Sequence, residues 1–386
     1  MKITKKISFT NDLLTNGQFF SNNILDSSIL IIGGAGTIGS SYIKQILKFK
    51  PSKITVVDIN ENIVSLLTDT DNNLWGTNSY SASPLFCKTN QDEWIAFNMP
   101  FVANQSTEIG EMIIDDYGKK WGIRTNNGLF VYNDNNTIWD KSDDQFTKIT
   151  TGLGSGNLPN NYVYCLANDL EGNIWAGTKE GVCVFYSPSS VFSGYNFDAQ
   201  QILIQEGEYG QYLLSSEKIN CIEIDGANRK WFATNNSGAI LTSANGTAEL
   251  IHFTAENSPL FSNKVVDIEV NDETGEVFFA TDKGLISYRA GATKGSNNFS
   301  NVLVFPNPVK PNYQGSISIK GLLTDAEVKI TDVSGNLVYK TKALGGQANW
   351  DGMNYNNERV GTGVYLVFST DENGYEKAVS KILFIK

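Results

Sequence analysis

The chain has 386 residues, room for two or three domains, with 35 glycines, 16 tyrosines and only 18% charged residues; that balance points to turn-rich β structure rather than helical bundles. A net charge of −11 with no Lys/Arg cluster argues against a nucleic-acid-binding surface. No run approaches the ~18 apolar residues of a membrane-spanning helix, and a single histidine, His252, disfavours His-based metal sites and general-base catalysis, so it reads as an ordinary strand residue.

The first twenty residues, MKITKKISFTNDLLTNGQFF, start basic but contain no apolar core, unlike a secretory signal peptide. Ser28 to Ile32 is then a short, mostly apolar β run. Gly33, Gly36 and Gly39 follow it directly and open a helix in which Tyr42, Ile43, Ile46 and Leu47 fall at helical spacing. A second strand, Ile54 to Val57, closes on Asp58. Glycines in this context let a pyrophosphate approach the helix N-terminus, and an acid ending the second strand can accept from a ribose hydroxyl.

This stretch resembles extended short-chain dehydrogenases, in particular nucleotide-sugar epimerases and 4,6-dehydratases of polysaccharide biosynthesis. The resemblance implies NAD or NADP at Gly33, Gly36, Gly39 and Asp58. It covers only the first βαβ unit, and no tyrosine is followed by lysine four residues on, so the family's catalytic Tyr-x-x-x-Lys is missing. Two strands and a helix cannot bury both faces of a parallel unit. The expectation is therefore a vestigial glycine turn, no cofactor and no catalysis.

From Asp71 a phrase recurs five times: DNNLWGTNSYS, DYGKKWGIRTNNGLFVY at Asp116, DLEGNIWAGTKEGVCVF at Asp169, DGANRKWFATNNSGAIL at Asp225 and DETGEVFFATDKGLISY at Asp272. The anchor aromatics Trp75, Trp121, Trp175, Trp231 and Phe278 are 46, 54, 56 and 47 residues apart. A polar turn, a short strand and a period near fifty residues predict β-propeller blades. Tyr162 to Leu166, Ile219 to Ile224 and Val265 to Val270 read as inner strands, with each anchor ring filling the gap between blades. The Asp-rich turns Asp69–Asn73, Asn133–Asn136 and Asp143-Asp144 match no calcium loop and read as solvated turns. Cys87, Cys165, Cys183 and Cys221 show no CxxC or zinc spacing. A Cys165–Cys183 disulfide is conceivable, but small buried apolar side chains is the preferred reading. The phrases resemble the two-component-regulator propeller repeat. Five copies form either an arc of a longer propeller or a closed ring.

GATKGSNNFSN then reads as a polar linker. Beyond it, short strands with turns every ~8–12 residues predict an immunoglobulin-like sandwich. Phe305-Pro306-Asn307-Pro308, the hairpin from Val328 to Gly335-Asn336, Gly361-Thr-Gly363-Val-Tyr365 and Lys381-Ile-Leu-Phe-Ile-Lys386 together resemble the C-terminal sorting domain of the type IX secretion system of Bacteroidetes. With the blades upstream and Leu344-Gly-Gly-Gln-Ala-Asn-Trp350-Asp-Gly inside the module, residues 68–386 resemble the propeller subunit of that system's attachment complex. The resemblance implies a non-enzymatic cell-surface role, with the sortase, outer-membrane components and anionic lipopolysaccharide as partners. Exported cargo with the same tag, a sensor ectodomain and an NAD-dependent sugar-nucleotide enzyme are the alternatives.

The expected fold class is thus mainly β, with a partial Rossmann α/β fragment over 1–67, propeller blades over 68–298 and an Ig-like domain over 299–386. The head looks cytosolic and the tail exported, so the chain as written would stay in the cytoplasm. The abrupt seam between Leu67 and Asp71 reads as a chimera or a misassembled frame.

Overall fold

A computed structural model describes residues 28–32, 53–57 and 63–385, except 92, 101, 103, 105, 194–196, 207–208, 372–373 and 375–376. The chain divides into two compact units, residues 1–201 and 202–386.

In the first unit six strands follow in sequence order across one sheet: β1 (Ser28–Ile32), β2 (Lys53–Val57), β3 (Ile63–Thr68), β4 (Leu74–Asn78), β5 (Leu85–Lys88) and β6 (Trp94–Phe97). β1 and β2 run parallel, as the start of a Rossmann unit requires. The expected helix, the glycines Gly33, Gly36 and Gly39, and Asp58 lie outside the described residues. β2 then pairs antiparallel with β3, which pairs antiparallel with β4. The ladder therefore runs up to and past the seam expected between Leu67 and Asp71 without a break, and β3 serves as the inner strand of the first blade.

The second blade is β7 (Ile109–Ile114), β8 (Lys120–Arg124), β9 (Leu129–Asn133) and β10 (Gln145–Ile149). The third is β11 (Val163–Asn168), β12 (Ile174–Thr178) and β13 (Gly181–Phe185), with Gln200 bridging the outer side of Val184. A 3-10 turn spans Pro188–Phe192; no α-helix occurs among the described residues.

The second unit opens with a hairpin, β14 (Leu203–Glu206) and β15 (Tyr209–Tyr212). The fourth blade is β16 (Ile219–Ile224), β17 (Lys230–Thr234), β18 (Ala239–Thr242) and β19 (Glu249–Phe253), and the fifth is β20 (Val265–Asn271), β21 (Glu276–Thr281) and β22 (Gly284–Arg289). A sandwich completes the unit. One of its sheets holds β23 (Leu303–Phe305), β24 (Ile317–Lys320) and β27 (Gln347–Trp350); the other has the order β26 (Leu337–Lys342), β25 (Glu327–Thr331), β28 (Gly363–Thr370), β29 (Lys377–Phe384). Its core joins Ile317, Ile319, Val328, Ile330, Trp350, Val367, Ile382 and Phe384. The chain is thus mainly β, propeller blades followed by an Ig-like sandwich.

One device recurs in the blades. Asp69 accepts from the amides of Asp71 and Asn73 with Oδ1 and from Trp75 Nε1 with Oδ2 at 2.7 Å. Asp115 treats Tyr117, Lys119 and Trp121 the same way, and Asp169 treats Glu171, Asn173 and Trp175 the same way. A carboxylate thus closes an Asx turn over the residues two and four ahead and ties down the indole six ahead. The turn-closing residue is one or two positions before the aspartate that opens the sequence phrase in three copies: Asp69 rather than Asp71, Asp115 rather than Asp116, and Asn271 rather than Asp272. Each inner strand also carries a register shift near its start, between Ile63 and Leu66, Ile109 and Met112, Val163 and Cys165, Ile219 and Cys221, and Val265 and Asp267.

The anchor rings of Trp75, Trp121 and Trp231 reach into the next blade, as the regular spacing implies. Trp75 stacks on Phe97 at 5.1 Å and meets Tyr132 of the second blade. Lys120, itself buried and 2.9 Å from Asp134, lies 3.9 Å over the Trp75 ring. Trp121 meets Phe185 of the third blade at 5.2 Å. Trp231 meets Phe279 of the fifth at 5.3 Å. Phe278 holds the ladder position of Trp231, since each pairs with a glutamate of its inner strand. It is only half-buried, and no blade follows it within its unit.

His252 is a blade residue, on β19 opposite Ile240, with Nε2 2.7 Å from Ser237 O. No cysteine is in a disulfide; Cys87, Cys165 and Cys183 are buried, as the apolar reading expects, whereas Cys221 is half-buried. Burial pushes the Cys87 thiol up to about 12.

The polar linker starts in buried, paired backbone. Gly291, Ala292 and Thr293 are buried. Thr293 bridges Gly345 in parallel and accepts from Gly346 N at 2.7 Å, and Lys294 N donates to Asp272 O at 2.8 Å. A Cβ on Gly226 would strike the Thr293 carbonyl, and one on Gly345 (φ +60°) would strike the carbonyls of Thr293 and Gly226. Turns of two blades, the linker and the Leu344-Gly-Gly loop therefore meet backbone to backbone, which only glycine permits.

Candidate functional site

The residues that resemble sorting motifs in the sequence gather at one end of the sandwich. Phe305 ends β23, and its peptide to Pro306 and that of Asn307 to Pro308 are cis. The chain there runs along the outer edge of β29. Asn307 Nδ2 donates to Lys381 O at 2.7 Å, and its Oδ1 accepts from Leu383 N at 3.0 Å. Val309 then exchanges backbone hydrogen bonds with Leu383 and Ile385 at 2.8 and 3.0 Å. A strand edge that would otherwise offer free amides and carbonyls is covered by one asparagine and one short bridge. Proline, which has no N–H to donate, suits the positions on either side of that asparagine.

Gly335 closes the turn from β25 to β26 with φ +88°. Asp332 accepts there from the amides of Ser334 and Asn336, both at 2.9 Å, the Asx geometry of the blades reused. Thr331 pairs with Leu366 and Gly363 with Phe384, so this turn lies at the same sheet end as the Gly361–Tyr365 motif. Tyr365 Oη donates to Gly361 O at 3.1 Å. Its ring lies edge-on to Phe384 at 5.5 Å and to Trp350 at 6.0 Å. Burial raises the Tyr365 hydroxyl, with Asp332 adding to it against the Gly361 bond. Lys386 lies outside the described residues.

Sequence reasoning missed Arg359. Its guanidinium donates to Asp351 O at 2.8 Å and Tyr313 O at 2.6 Å and lies 5.5 Å from the Phe384 ring. The signal was faint: one arginine between two turns, with no spacing rule to mark it.

The arrangement combines a covered edge, tight turns and aromatic pins. Among the described residues no group of three or more His, Cys, Asp or Glu side chains could hold a metal ion, and no helix is long and apolar enough to cross a membrane.

Comparison with known proteins agrees with this geometry. The secretion system C-terminal sorting domain family matches residues 303–386, the two component regulator propeller family matches 157–180, and a polysaccharide biosynthesis protein family matches 29–97. PorZ, described as an essential bacterial surface component of the type-IX secretion system of Porphyromonas gingivalis, superposes with a TM-score of 0.59 at 30% identity over 84% of this chain and 45% of that one. Blades and tail resemble PorZ. An extracellular domain from B. thetaiotaomicron, BT4673, matches at 15% identity with a TM-score of 0.40, over 83% of this chain and 44% of that one. An uncharacterized membrane protein of Methanocaldococcus jannaschii is 50% identical over 44 residues, 11% of this chain and 13% of that protein. The chain spans less than half of the PorZ chain it matches. It is composite: a stretch similar to polysaccharide biosynthesis proteins, reaching through residue 97 into the first blade, joins a body similar to PorZ.

Proposed function

We propose that the body of this chain is a non-enzymatic binding subunit of the type IX secretion machinery at the cell surface, and that it presents anionic lipopolysaccharide to the sortase that anchors cargo. The observation that carries this is the pairing, in one chain, of PorZ-like blades with a sorting-domain match over residues 303–386. Outer-membrane components of the same system are the further partners. By sequence resemblance we divide the chain at 1–67, 68–298 and 299–386, with the first segment lending β3 to the first blade, and assign Gly33, Gly36, Gly39 and Asp58 a vestigial role, because the Tyr-x-x-x-Lys that would use a bound nicotinamide is missing. Pro306, Asn307, Pro308, Gly335, Gly363, Tyr365 and Lys386 form the secretion signal.

Deletion of the gene in its host tests the proposal. The expected result is that other sorting-domain proteins fail to attach to the surface, with attachment restored by the wild-type gene. Normal attachment in the deletion strain would leave the second reading, exported cargo with a sorting domain.

A further inference from the structure

The outer face of the four-stranded sandwich sheet stands out from the rest of the chain. Val328, Ile330, Val367 and Ile382 point into the core, so the residues between them point out. The ladder sets these in rows: Lys342, Glu327, Thr370 and Lys377; then Lys340, Lys329, Phe368 and Val379; then Leu337, Thr331, Leu366 and Lys381; then Val364 and Leu383. Among the described residues of these rows five lysines meet one acid, with Asp371 at the end of β28 beside them, in a chain of net charge −11. The acid is already spent, because Glu327 lies 2.8 Å from Lys329 Nζ and 2.5 Å from Lys340 Nζ. Between the lysines, Phe368 is 37% exposed, Val364 39%, Leu383 41% and Val379 55%.

We propose that this face binds an anionic lipid surface, with the apolar strip against the interface and the lysines on its phosphate-bearing headgroups. The exposed apolar residues run along β28 and β29, with lysines beside them on β26 and β25 and among them on β29, which complements an anionic bilayer rather than a neutral one. An extended acidic peptide is the weaker fit. Strand addition needs a free edge, and the β29 edge beside the apolar strip is occupied by Asn307 and Val309. The inference deepens the reading above and rests on it only in placing the chain at a membrane surface. The lipid contact is tested without sortase or cargo.

The test is co-sedimentation of the full chain with phosphatidylcholine vesicles, with and without phosphatidylglycerol, at low and high salt. Binding is expected to the phosphatidylglycerol vesicles alone and to fall at high salt. Each of Lys340→Glu, Lys377→Glu and Lys381→Glu should weaken it about fivefold or more, and Val379→Ser should weaken it without changing the salt dependence. The matched reversals Lys264→Glu and Lys283→Glu, on exposed blade positions, should leave binding unchanged. Circular dichroism melting identifies any variant that fails to fold. No binding to phosphatidylglycerol vesicles, equal loss from the blade reversals, or capture of soluble polyglutamate in place of vesicles would overturn the proposal. Vesicle binding that follows these expectations, with normal cargo attachment in the deletion strain, would count against the functional reading and not against the lipid face.

Discussion

Asp225 Oδ2 accepts from Arg229 Nε at 2.8 Å, using the oxygen that the three preceding blades give to their tryptophan. Trp231, fully buried, is left with an indole N–H that has no partner. The first and third blades carry asparagine where the fourth has Arg229, and Asn73 and Asn173 share Oδ2 with the indole. Arg229→Asn should therefore return Oδ2 to Trp231. An unmade buried hydrogen bond costs about 1–3 kcal/mol, which offsets the loss of the Arg229 ion pair, so stability should stay within about 1 kcal/mol of the parent. Exchange of the Trp231 indole proton, followed by NMR, should slow at least tenfold. Unchanged exchange would show that the arginine is not what deprives the indole.

In the intact clamp of the second blade the same logic gives a loss. Asp115→Ala strands the buried amide of Lys119 and the indole of Trp121 together. Denaturant unfolding should report a destabilisation of about 2–4 kcal/mol. In a double-mutant cycle with Trp121→Phe, the two losses should couple by about 1 kcal/mol or more. Additive losses would mean the indole bond contributes nothing.

The clamp explains what the sequence could and could not disclose. The repeat was legible because an aromatic ring, a small residue and a turn recur at a near-constant period. The acid that closes each turn was harder to see, because Asp69 and Asp71, or Asp115 and Asp116, stand side by side and only the ladder decides between them. A constant spacing of six from acid to tryptophan would have separated them: it holds from Asp69, Asp115, Asp169 and Asp225. The register shift at the head of each inner strand left no residue signature at all, since bulges depend on pairing across strands. The lysine face was equally hidden, because its five lysines come from three strands brought together by register alone.

The junction around Gly345 makes a separate prediction. A side chain there would strike the carbonyls of Thr293 and Gly226, at a backbone angle that L residues rarely adopt. Gly345→Ala should release the sandwich from the blade turns and expose residues 290–302 to protease. Limited proteolysis should give two stable fragments cut in that stretch, where the parent resists. An unchanged digestion pattern would mean the contact is not needed to hold the linker.

Asn307 is expected to act through the edge it covers. Asn307→Ala removes both side-chain bonds to β29, and about 1–2 kcal/mol of local stability should go with them. Hydrogen exchange should show it first at the Leu383 amide. Asn307→Asp keeps the acceptor for that amide and loses the donor to Lys381 O, so Leu383 should stay protected while the strand end frays. Equal exchange in both variants would reduce the asparagine to a spacer between two prolines.

Glu327 supplies a pH dependence on the lysine face. Its bonds to Lys329 and Lys340, with their charges, hold the carboxyl down at about 2 from an ordinary 4.5. A depressed acid stabilises the folded state above its unfolded value and loses that contribution as pH falls through its folded value. The contribution should therefore be constant above pH 4.5 and disappear between there and about 2. Carboxyl NMR titration of Glu327 should give a midpoint near the lower figure in the parent. Lys340→Met should move the midpoint up, and Lys329→Met should do the same. Double replacement should bring it close to 4.5, while Lys381→Met, on a row that does not reach Glu327, should leave it in place. A parent midpoint already at the ordinary value would show that the two lysines point to solvent, and their charges would then be free for an anionic surface without competition from the glutamate.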